Sequence, residues 1–372
     1  SSDVCSSDLA GPGSDRAAEA GRICRFGRAP HDGGRILRKR RGRSGGKPRG
    51  NHNLKSMEAK KLRIVYMGTP DFAVSPLAKL VEEGYNVVGV VTMPDKPSGR
   101  GLHVQQSAVK RYALQAGLPV YQPEKLRDPA FVETFRSMKP DLGIVIAFRM
   151  LPEIIWAAPK LGTFNLHASL LPQYRGAAPI NWALINGETE TGVTTFLLNR
   201  EIDKGAVLCQ TRVPIGPDDD AGTLHDRLME AGTELVVETI GKIAQGTVTA
   251  VEQPTVDPEC LKGAPKIFKE TCRIDWRQPA ARICNLIRGL SPYPAAWSEL
   301  SRPDATPVGV KIFRAKAEAC RPGKAPGAIV TDGRSEIKVA CADGYVQIEE
   351  LQIAGRRRMT TEELLRGFKE IE

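Results

Sequence analysis

Short apolar runs, each bounded by polar or glycine-containing turns, recur along the chain from residue 57 onward. Residues 62–67, 86–92 and 142–148 form three such runs, which are typical of buried strands in parallel sheets. Between the first two, apolar residues recur at helical spacing: Ala73, Leu77, Leu80 and Val81. The same reasoning predicts strands at 162–166 and 192–198 and a helix at 178–186. This alternation predicts an α/β fold, a Rossmann-like doubly wound sheet with helices on both faces.

The turn after the first apolar run allows finer predictions. Gly68 ends the strand, Thr69 is expected to cap the following helix, and Pro70 is expected at its first position. Pro76 is expected to kink that helix. The turn lacks the G-x-G-x-x-G pattern of dinucleotide sites, so the sheet need not bind NAD. The crevice at the carboxyl ends of the strands remains the expected ligand site.

A change of pattern near residue 248 predicts a second domain. Residues 248–265 contain three prolines and no regular period, which indicates a linker between a domain at 57–247 and one at 266–372. The second domain is expected to hold a helix near 279–288 and strands at 310–315, 327–331, 336–340 and 345–351. Such closely spaced short strands predict a small OB-like β-barrel. Residues 360–363 read Thr-Thr-Glu-Glu, a capping box that opens a last helix.

Residues 1–56 differ in composition and are expected to lie outside the folded domains. They are rich in Gly, Ser and Arg, and their one adjacent aliphatic pair, at 36–37, is surrounded by basic residues. Such a segment buries too little apolar surface to offset the entropy lost on ordering. Met57 looks like a natural start, so we interpret 1–56 as a disordered or non-native extension translated in frame. A transit peptide and a basic nucleic-acid-binding arm are the alternatives.

Charge is distributed unevenly along the chain. The net charge of +10 divides into +8 for residues 1–56, −4 for 57–261 and +6 for 262–372. A basic C-terminal region favours a polyanionic partner such as nucleic acid, although a solvated surface would show the same charge. No apolar run approaches the ~18 residues of a membrane helix. We therefore expect a soluble protein. The eight cysteines are scattered and form no C-x-x-C pair, so we expect a cytoplasmic location and no metal site.

The densest group of polar residues accompanies the strand predicted at 162–166. Residues 164–172 read Phe-Asn-Leu-His-Ala-Ser-Leu-Leu-Pro, so Asn165 and His167 point to the same side of a strand. At the strand's carboxyl end both would enter the crevice. There an amide N–H can donate to a developing oxyanion and an imidazole can exchange protons near neutral pH. The pair favours acyl transfer, while two satisfied core residues would show the same spacing.

This segment and the residues after it resemble the folate-dependent formyltransferase family. The Asn-x-His pair is followed by Ser-Leu-Leu-Pro, and Asp203 stands at the family's third catalytic position. Within the family, the chain is similar over nearly all of residues 57–372 to the subfamily that formylates methionyl-tRNA. The segments on which this resemblance rests are 68–73, 94–101, 174–180, 182–183, 187–188, 190–194, 264–266, 275–276 and 288–294.

The resemblance implies roles and substrates. Asn165 would bind the formyl oxygen and stabilise the oxyanion, His167 would lie beside the same carbon, and Asp203 would orient His167. The loop implied to pack on the folate consists of Ser169, Leu170, Leu171 and Pro172. The formyl donor would be 10-formyltetrahydrofolate, and the acceptor would be the α-amino group of initiator methionyl-tRNA. Neither a metal nor a covalent enzyme intermediate is required, and a monomer is expected.

Two groups of arginines are predicted to contact the tRNA. Arg100 lies in a Gly-bracketed loop at 98–101, where a guanidinium can pair with phosphate or stack on a base. Arg356, Arg357 and Arg358 directly precede the capping box. Cations at that position oppose the helix dipole, and this mismatch favours a role in binding phosphates.

The chain departs from the family pattern at two places near the expected site. Residues 203–206 read Asp-Lys-Gly-Ala where the family commonly has Asp-Thr-Gly-Asp, so Lys204 adds a charge beside Asp203. Arg149 lies in a stretch that more usually reads Ala-Tyr-Gly. Both departures affect the fine geometry of the site and leave the reaction class unchanged.

Two other functions remain as alternatives. The first is formyl transfer to a different amine, such as glycinamide ribonucleotide or an amino sugar, with the same catalytic residues. The second is a catalytically silent RNA-binding protein on the same scaffold. The loop at 94–101 and the basic C-terminal region argue against the first, and intact Asn165, His167 and Asp203 argue against the second.

Overall fold

The computed structural model describes residues 58–98, 103–302, 305–321 and 323–367. In this part of the chain, one sheet has seven strands, a second has six, and a separate hairpin has two. The extension at 1–56 and Arg100 lie outside the described residues.

The seven-stranded sheet has the order β5-β2-β1-β6-β7-β8-β9. Its strands are β1 (Ile64–Gly68), β2 (Val87–Val91), β5 (Val120–Tyr121), β6 (Leu142–Ile146), β7 (Thr163–His167), β8 (Glu190–Leu197) and β9 (Val207–Pro214). The five strands from β5 to β7 are parallel, whereas β8 and β9 run antiparallel to their neighbours. Strands β1, β2, β6, β7 and β8 were predicted; β5, β9 and the reversed direction of β8 were not.

Helices pack on both faces of this sheet, as predicted. The helices of this region are α1 (Val74–Glu82), α2 (Ala108–Gln115), α3 (Pro129–Ser137), α4 (Glu153–Trp156), α5 (Pro179–Ile185) and α6 (Ala221–Ala244). Alternate residues of β1 serve two separate cores: Ile64 and Tyr66 pack in one, and Val65 and Met67 in the other. This follows from the two-residue period of a strand, and it explains why buried parallel strands are apolar throughout.

The predicted helix start at Thr69 is wrong. A 3-10 turn at Asp71–Ala73 precedes α1, Pro70 is the flanking residue before that turn, and no side chain caps it. The Thr69 hydroxyl is instead buried without a hydrogen-bond partner. Pro76 is the third residue of α1, in the first turn, where backbone N–H groups have no intrahelical acceptor. A kink is therefore not required there.

The longest helix among the described residues, α6, was not predicted from the sequence. It starts with a capping box in which the Asp220 carboxylate accepts from the Thr223 N–H at 2.9 Å, and the Asp220 N–H donates to the Thr223 hydroxyl at 3.0 Å. The box lacks the Glu or Gln of the usual pattern. Helix α6 packs on α1 and on strands β8 and β9.

The six-stranded sheet is antiparallel and follows helix α7 (Ala280–Leu290). Its strands are β10 (Ala296–Arg302), β11 (Ala305–Ala319), β12 (Ile329–Thr331), β13 (Ile337–Ala340), β14 (Gly344–Ile353) and β15 (Met359–Thr360). Pairing follows the path β10-β11-β14-β13-β12, with β15 added to β14. The four predicted strands are present as β11, β12, β13 and β14, and β10 and β15 are additional. The capping box before α8 (Thr361–Gly367) is confirmed by reciprocal bonds between Thr360 and Glu363 of 3.1 and 3.2 Å.

The two sheets are joined by more than a connecting segment. Helices α5 and α7 pack together, and the Asn181 amide donates to the Gly289 carbonyl at 2.7 Å. The predicted linker at 248–265 contains a 3-10 turn (Pro258–Cys260) and bonds to loops of the first sheet. The separate hairpin pairs β3 (Lys96–Ser98) with β4 (His103–Gln105). In the described part of the chain, no helix is long and apolar enough to cross a membrane.

Candidate active site

Strand β7 places Asn165 and His167 near the carboxyl end of the parallel strands. Asn165 lies opposite Val145 of β6 and Phe196 of β8, while His167 pairs with Thr194. The His167 side chain is buried, and Asn165 is partly buried. The Asn165 Oδ1 atom is buried without a hydrogen-bond partner. Because buried polar atoms are nearly always paired in folded proteins, this amide is suited to a ligand rather than to the fold.

The ring of His167 is held by backbone. Its Nε2 lies 2.9 Å from the Tyr174 carbonyl oxygen. A carbonyl can only accept, so Nε2 must be the donor and carry a proton. In neutral His167 the lone pair is then on Nδ1, which is the atom able to accept a proton.

Asp203 lies in the turn between β8 and β9, and it is linked to His167 only through the loop at 173–178. Its Oδ2 accepts from the Gly176 N–H at 2.9 Å, and its backbone carbonyl accepts from Arg175 Nε at 3.1 Å. No hydrogen bond joins Asp203 to His167, so the direct orienting contact implied by the resemblance is absent. The loop at 173–178 connects the two residues, since it bonds to both.

The first departure from the family pattern is accommodated within the turn. Lys204 forms an ion pair with Glu201 at 3.0 Å, and both side chains are exposed. Gly205 is required by packing, because a Cβ there would lie 1.6 Å from the Leu197 carbonyl oxygen. Asp203 has a φ of +54°, a left-handed conformation that Asp tolerates better than most residues. Asp203 and Gly205 therefore build this turn. The side chain of Lys204 is exposed and takes no part in the close packing.

The loop at 169–172 is fixed by strands β8 and β9. The Ser169 hydroxyl donates to the Gln173 carbonyl at 2.7 Å, and the Thr194 hydroxyl donates to the Ser169 carbonyl at 2.6 Å. Gln210 adds a bond of 3.2 Å to the Leu171 carbonyl. Ser169 and Leu171 are buried, whereas Leu170 and Pro172 are partly exposed. Ser169 and Leu171 therefore build the loop, whereas Leu170 and Pro172 remain partly accessible.

The second departure, Arg149, follows strand β6 in the neighbourhood of the crevice. Its guanidinium donates to the carbonyls of Pro123 and of Glu124, the latter at 2.7 Å. Its Nε is buried without a partner, and the group lies 5.7 Å from the centre of the Phe148 ring. Burial lowers the pKa of this guanidinium from its usual value. Arg149 thus ties the end of β6 to the segment after β5.

The predicted arginine cluster is exposed, and two of its members have carboxylate partners. Arg357 pairs with Glu363 at 2.9 Å, and it holds the pKa of that carboxyl below its usual value. Arg358 forms two bonds of 2.6 Å to Glu350 and lies 4.3 Å from the centre of the Phe313 ring. These carboxylates compensate for cations beside a helix N-terminus. The dipole mismatch therefore no longer argues for a tRNA contact, and that role stays a prediction.

Sequence reasoning missed a cluster of cations and aromatic rings directly after the linker. We define the basic–aromatic surface as Lys266, Phe268, Lys269, Arg273 and Trp297. Lys266 lies 5.5 Å from the Phe268 ring centre, and both Lys269 and Arg273 lie 5.4 Å from that of Trp297. Phe268 is 61% exposed. The spacing of basic and aromatic residues at 266–273 is the sequence signal that marks this surface.

The linker residue Gln253 was also missed. Its Nε2 donates to the carbonyls of Asp203 and Gly205 at 2.8 and 2.9 Å, and its Oε1 accepts from Arg175 Nη2 at 2.6 Å. Gln253 therefore ties the Asp203 turn to the loop at 173–178. No sequence signal identifies it, since an isolated glutamine in an irregular segment has no pattern. Within the described ranges, no three His, Cys, Asp or Glu side chains form a group able to hold a metal ion.

Comparison with known proteins identifies the family. A family model described as formyl transferase matches residues 60–240, and one described as formyl transferase, C-terminal domain, matches residues 266–369. The chain belongs to the formyl transferase family.

This formyltransferase is close in sequence to curated relatives. It is 59% identical over 314 residues to the methionyl-tRNA formyltransferase of Bacteroides fragilis, covering 84% of this chain and 97% of the relative. It is 58% identical over 315 residues to that of Bacteroides thetaiotaomicron, covering 84% and 98%. The crystal structure of an N-formyltransferase from Helicobacter canadensis with folinic acid and dTDP-3-aminofucose matches at a TM-score of 0.58 and 18% identity. That match covers 80% of this chain and 100% of the other, and it shows a shared fold.

Proposed function

We propose that this protein transfers the formyl group of 10-formyltetrahydrofolate to the α-amino group of methionine on initiator methionyl-tRNA, supplying formylmethionyl-tRNA for translation initiation. The observation on which this rests is a site of Asn165, His167 and Asp203 in a chain that matches methionyl-tRNA formyltransferases over nearly their whole length. The enzyme is a one-carbon transferase and uses the formyl-folate as co-substrate.

Asn165 is assigned the stabilisation of the formyl oxygen. Its amide has a buried atom without a partner, so a bound group can replace the missing bond. The oxygen and nitrogen of an amide exchange by a half-turn of the side chain, so the same position can present an N–H donor. A fixed donor aimed at the oxygen on which negative charge develops is a strong source of rate enhancement.

His167 and Asp203 are assigned to proton handling and to its geometry. Nδ1 of neutral His167 can take a proton from the attacking amine, because Nε2 is committed to the Tyr174 carbonyl. Asp203 holds the Gly176 N–H and so supports the loop that contains this carbonyl. No covalent enzyme intermediate is needed, since the amine itself is the nucleophile.

The folate is assigned to the loop at 169–172, and the acceptor end of the tRNA to the basic–aromatic surface. Leu170 and Pro172 are partly exposed and are proposed as folate contacts, with Ser169 and Leu171 shaping the loop. The basic–aromatic surface starts two residues after Ala264, whose carbonyl accepts from the Ala177 N–H at 2.7 Å. Cations beside exposed rings suit phosphates and unstacked bases, so this surface is proposed to receive the acceptor end of the tRNA. Arg100 and Arg356–Arg358 remain proposed tRNA contacts.

An acceptor assay tests this proposal against its alternatives. The full chain is supplied with 10-formyltetrahydrofolate and, in parallel, with methionyl initiator tRNA, glycinamide ribonucleotide or a nucleotide-linked amino sugar. We expect formylation of the tRNA alone. Preference for a small amine would indicate the alternative acceptor, and tRNA binding without turnover would indicate the silent RNA-binding protein.

The proposal includes a monomer in the cytoplasm. The eight cysteines are scattered along the chain without a C-x-x-C pair, in keeping with a reducing compartment. Light scattering at working concentration would measure the mass, and a dimer would contradict this part of the proposal.

A further inference from the structure

The second half of the linker runs beside the loop that holds His167. Gly176 and Ala264 form a parallel bridge, and the Ala264 N–H donates to the Arg175 carbonyl at 2.8 Å. The Tyr174 N–H donates to the Lys262 carbonyl at 2.6 Å. Gln173 exchanges two further bonds with the linker, at 2.8 and 3.0 Å. Through these bonds the linker fixes the main chain at 173–178.

Tyr174 is held at its side chain as well as its backbone. Its ring is buried, and its hydroxyl donates to Glu188 Oε1 at 2.5 Å. The same carboxylate oxygen accepts from Lys262 Nζ at 2.5 Å, so the linker reaches the ring through Glu188. Burial and the Glu188 carboxylate raise the pKa of the Tyr174 hydroxyl, which therefore stays a donor. With a φ of +59°, Tyr174 is in a conformation that needs such support.

We propose that Tyr174, Glu188 and Lys262 are positioning residues that keep the proton of His167 on Nε2 and leave Nδ1 free to accept. This inference rests on the proposed function. When the amine forms its bond to the formyl carbon, the bond from that carbon to the folate nitrogen breaks. The amine loses one proton and the folate nitrogen gains one. Nδ1 can take the first only while the Tyr174 carbonyl holds the opposite edge of the ring.

The test is nitrogen NMR of histidine side chains in the full chain, combined with steady-state kinetics. Five histidines are present, and His167→Gln assigns the signal. We expect the Nε2–H form in the unchanged protein. In Tyr174→Phe, which keeps the buried ring, we expect a mixture of the two tautomers and a fall in kcat between about 10- and 100-fold at unchanged KM.

A matched control separates positioning from stability. Tyr66→Phe removes another buried hydroxyl, one that donates to the Ala73 carbonyl at 2.5 Å. We expect this variant to lower the melting temperature without changing the tautomer of His167. Glu188→Gln keeps an acceptor for the Tyr174 hydroxyl and should lose less kcat than Glu188→Ala.

Two outcomes overturn the inference. One is an Nδ1–H form of His167 in the unchanged protein. The other is an unchanged tautomer and an unchanged kcat in Tyr174→Phe. Failure of the proposed function is distinguishable, because the chain would then be inactive on every tRNA. The NMR signal needs no turnover, so it would still report Nε2–H and uphold the positioning assignment.

Discussion

The two sheets of this molecule present their functional side chains in opposite ways. Near the carboxyl ends of the parallel strands in the seven-stranded sheet, Asn165 is partly buried and His167 is buried. The Oδ1 atom of Asn165 has no hydrogen-bond partner. Between strands β14 and β15 of the six-stranded sheet, Arg357 and Arg358 are exposed and pair with carboxylates. A buried atom without a partner costs about 1–3 kcal/mol, which a bound ligand can offset. Exposed ion pairs add little to the stability of the fold, and their charges are already compensated without a ligand.

The same criterion ranks the cations of the C-terminal region. Lys266 and Lys269 lie over aromatic rings, and neither has a carboxylate partner among the described residues. Arg357 and Arg358 already have theirs. Cations without carboxylate partners can neutralise phosphates at no loss of an existing ion pair. The basic–aromatic surface should therefore contribute more to tRNA binding than the arginine cluster.

The largest effects are expected at the buried polar residues. Asn165→Ala should lower kcat about 10²–10³-fold, as the loss of one oxyanion donor does elsewhere, without lowering the melting temperature. His167→Ala and Asp203→Ala should lower kcat at least as much. Kinetics and differential scanning fluorimetry provide the measurements. An Asn165→Ala enzyme with normal kcat would remove Asn165 from the mechanism.

A double variant sharpens this prediction. Because the loop at 173–178 joins Asp203 to His167, we expect removal of Asp203 to add little once His167 is Ala. Strictly additive losses in kcat would show that the two residues act independently.

A smaller effect is expected where the linker meets the catalytic loop. Gly176 has a φ of +128°, and a Cβ there would lie 2.4 Å from the Ala264 carbonyl oxygen. Gly176→Ala should therefore cost about 1–3 kcal/mol of stability and lower kcat. Gly263→Ala is the matched control, since a Cβ at Gly263 meets nothing within 4 Å. Denaturant unfolding measures both, and equal stability of the two variants would contradict the close contact.

The basic–aromatic surface should govern the salt dependence of tRNA binding. Converting Lys266 and Lys269 to Ala should flatten the slope of log K against log salt by roughly 1–2, since each lost phosphate contact releases about one counterion fewer. The KM for 10-formyltetrahydrofolate should not change. Filter binding across a salt series gives the slope, and an unchanged value would move the tRNA contact away from this surface.

The smallest effect on tRNA binding is expected from the arginine cluster. Replacing Arg356, Arg357 and Arg358 with Ala should flatten the salt slope less than the two lysine substitutions do. The same variant should lower the melting temperature, because Arg358 loses its Glu350 pair and its contact with Phe313. A larger slope change here than at Lys266 and Lys269 would reverse the ranking of the two surfaces.

The sequence by itself determined the elements whose patterns have a period. The parallel strands β1, β2, β6 and β7 were predicted because a strand buried on both faces is a continuous apolar run. The Thr360 capping box was predicted because its partners are three residues apart. Asn165 and His167 were placed on one side of a strand by its two-residue period.

Only the tertiary structure decided how these residues are held. The bond between His167 and the Tyr174 carbonyl, the bond between Asp203 and Gly176, and the backbone bonds of the linker at 260–265 all involve irregular loops. Such loops have no sequence period. Their contacts are made largely by backbone groups, which are the same in nearly every residue type and so leave no signal in the sequence. Partners such as Gln173 and Lys262 are 89 residues apart. Their pairing follows from how the two sheets pack, and no local pattern specifies it.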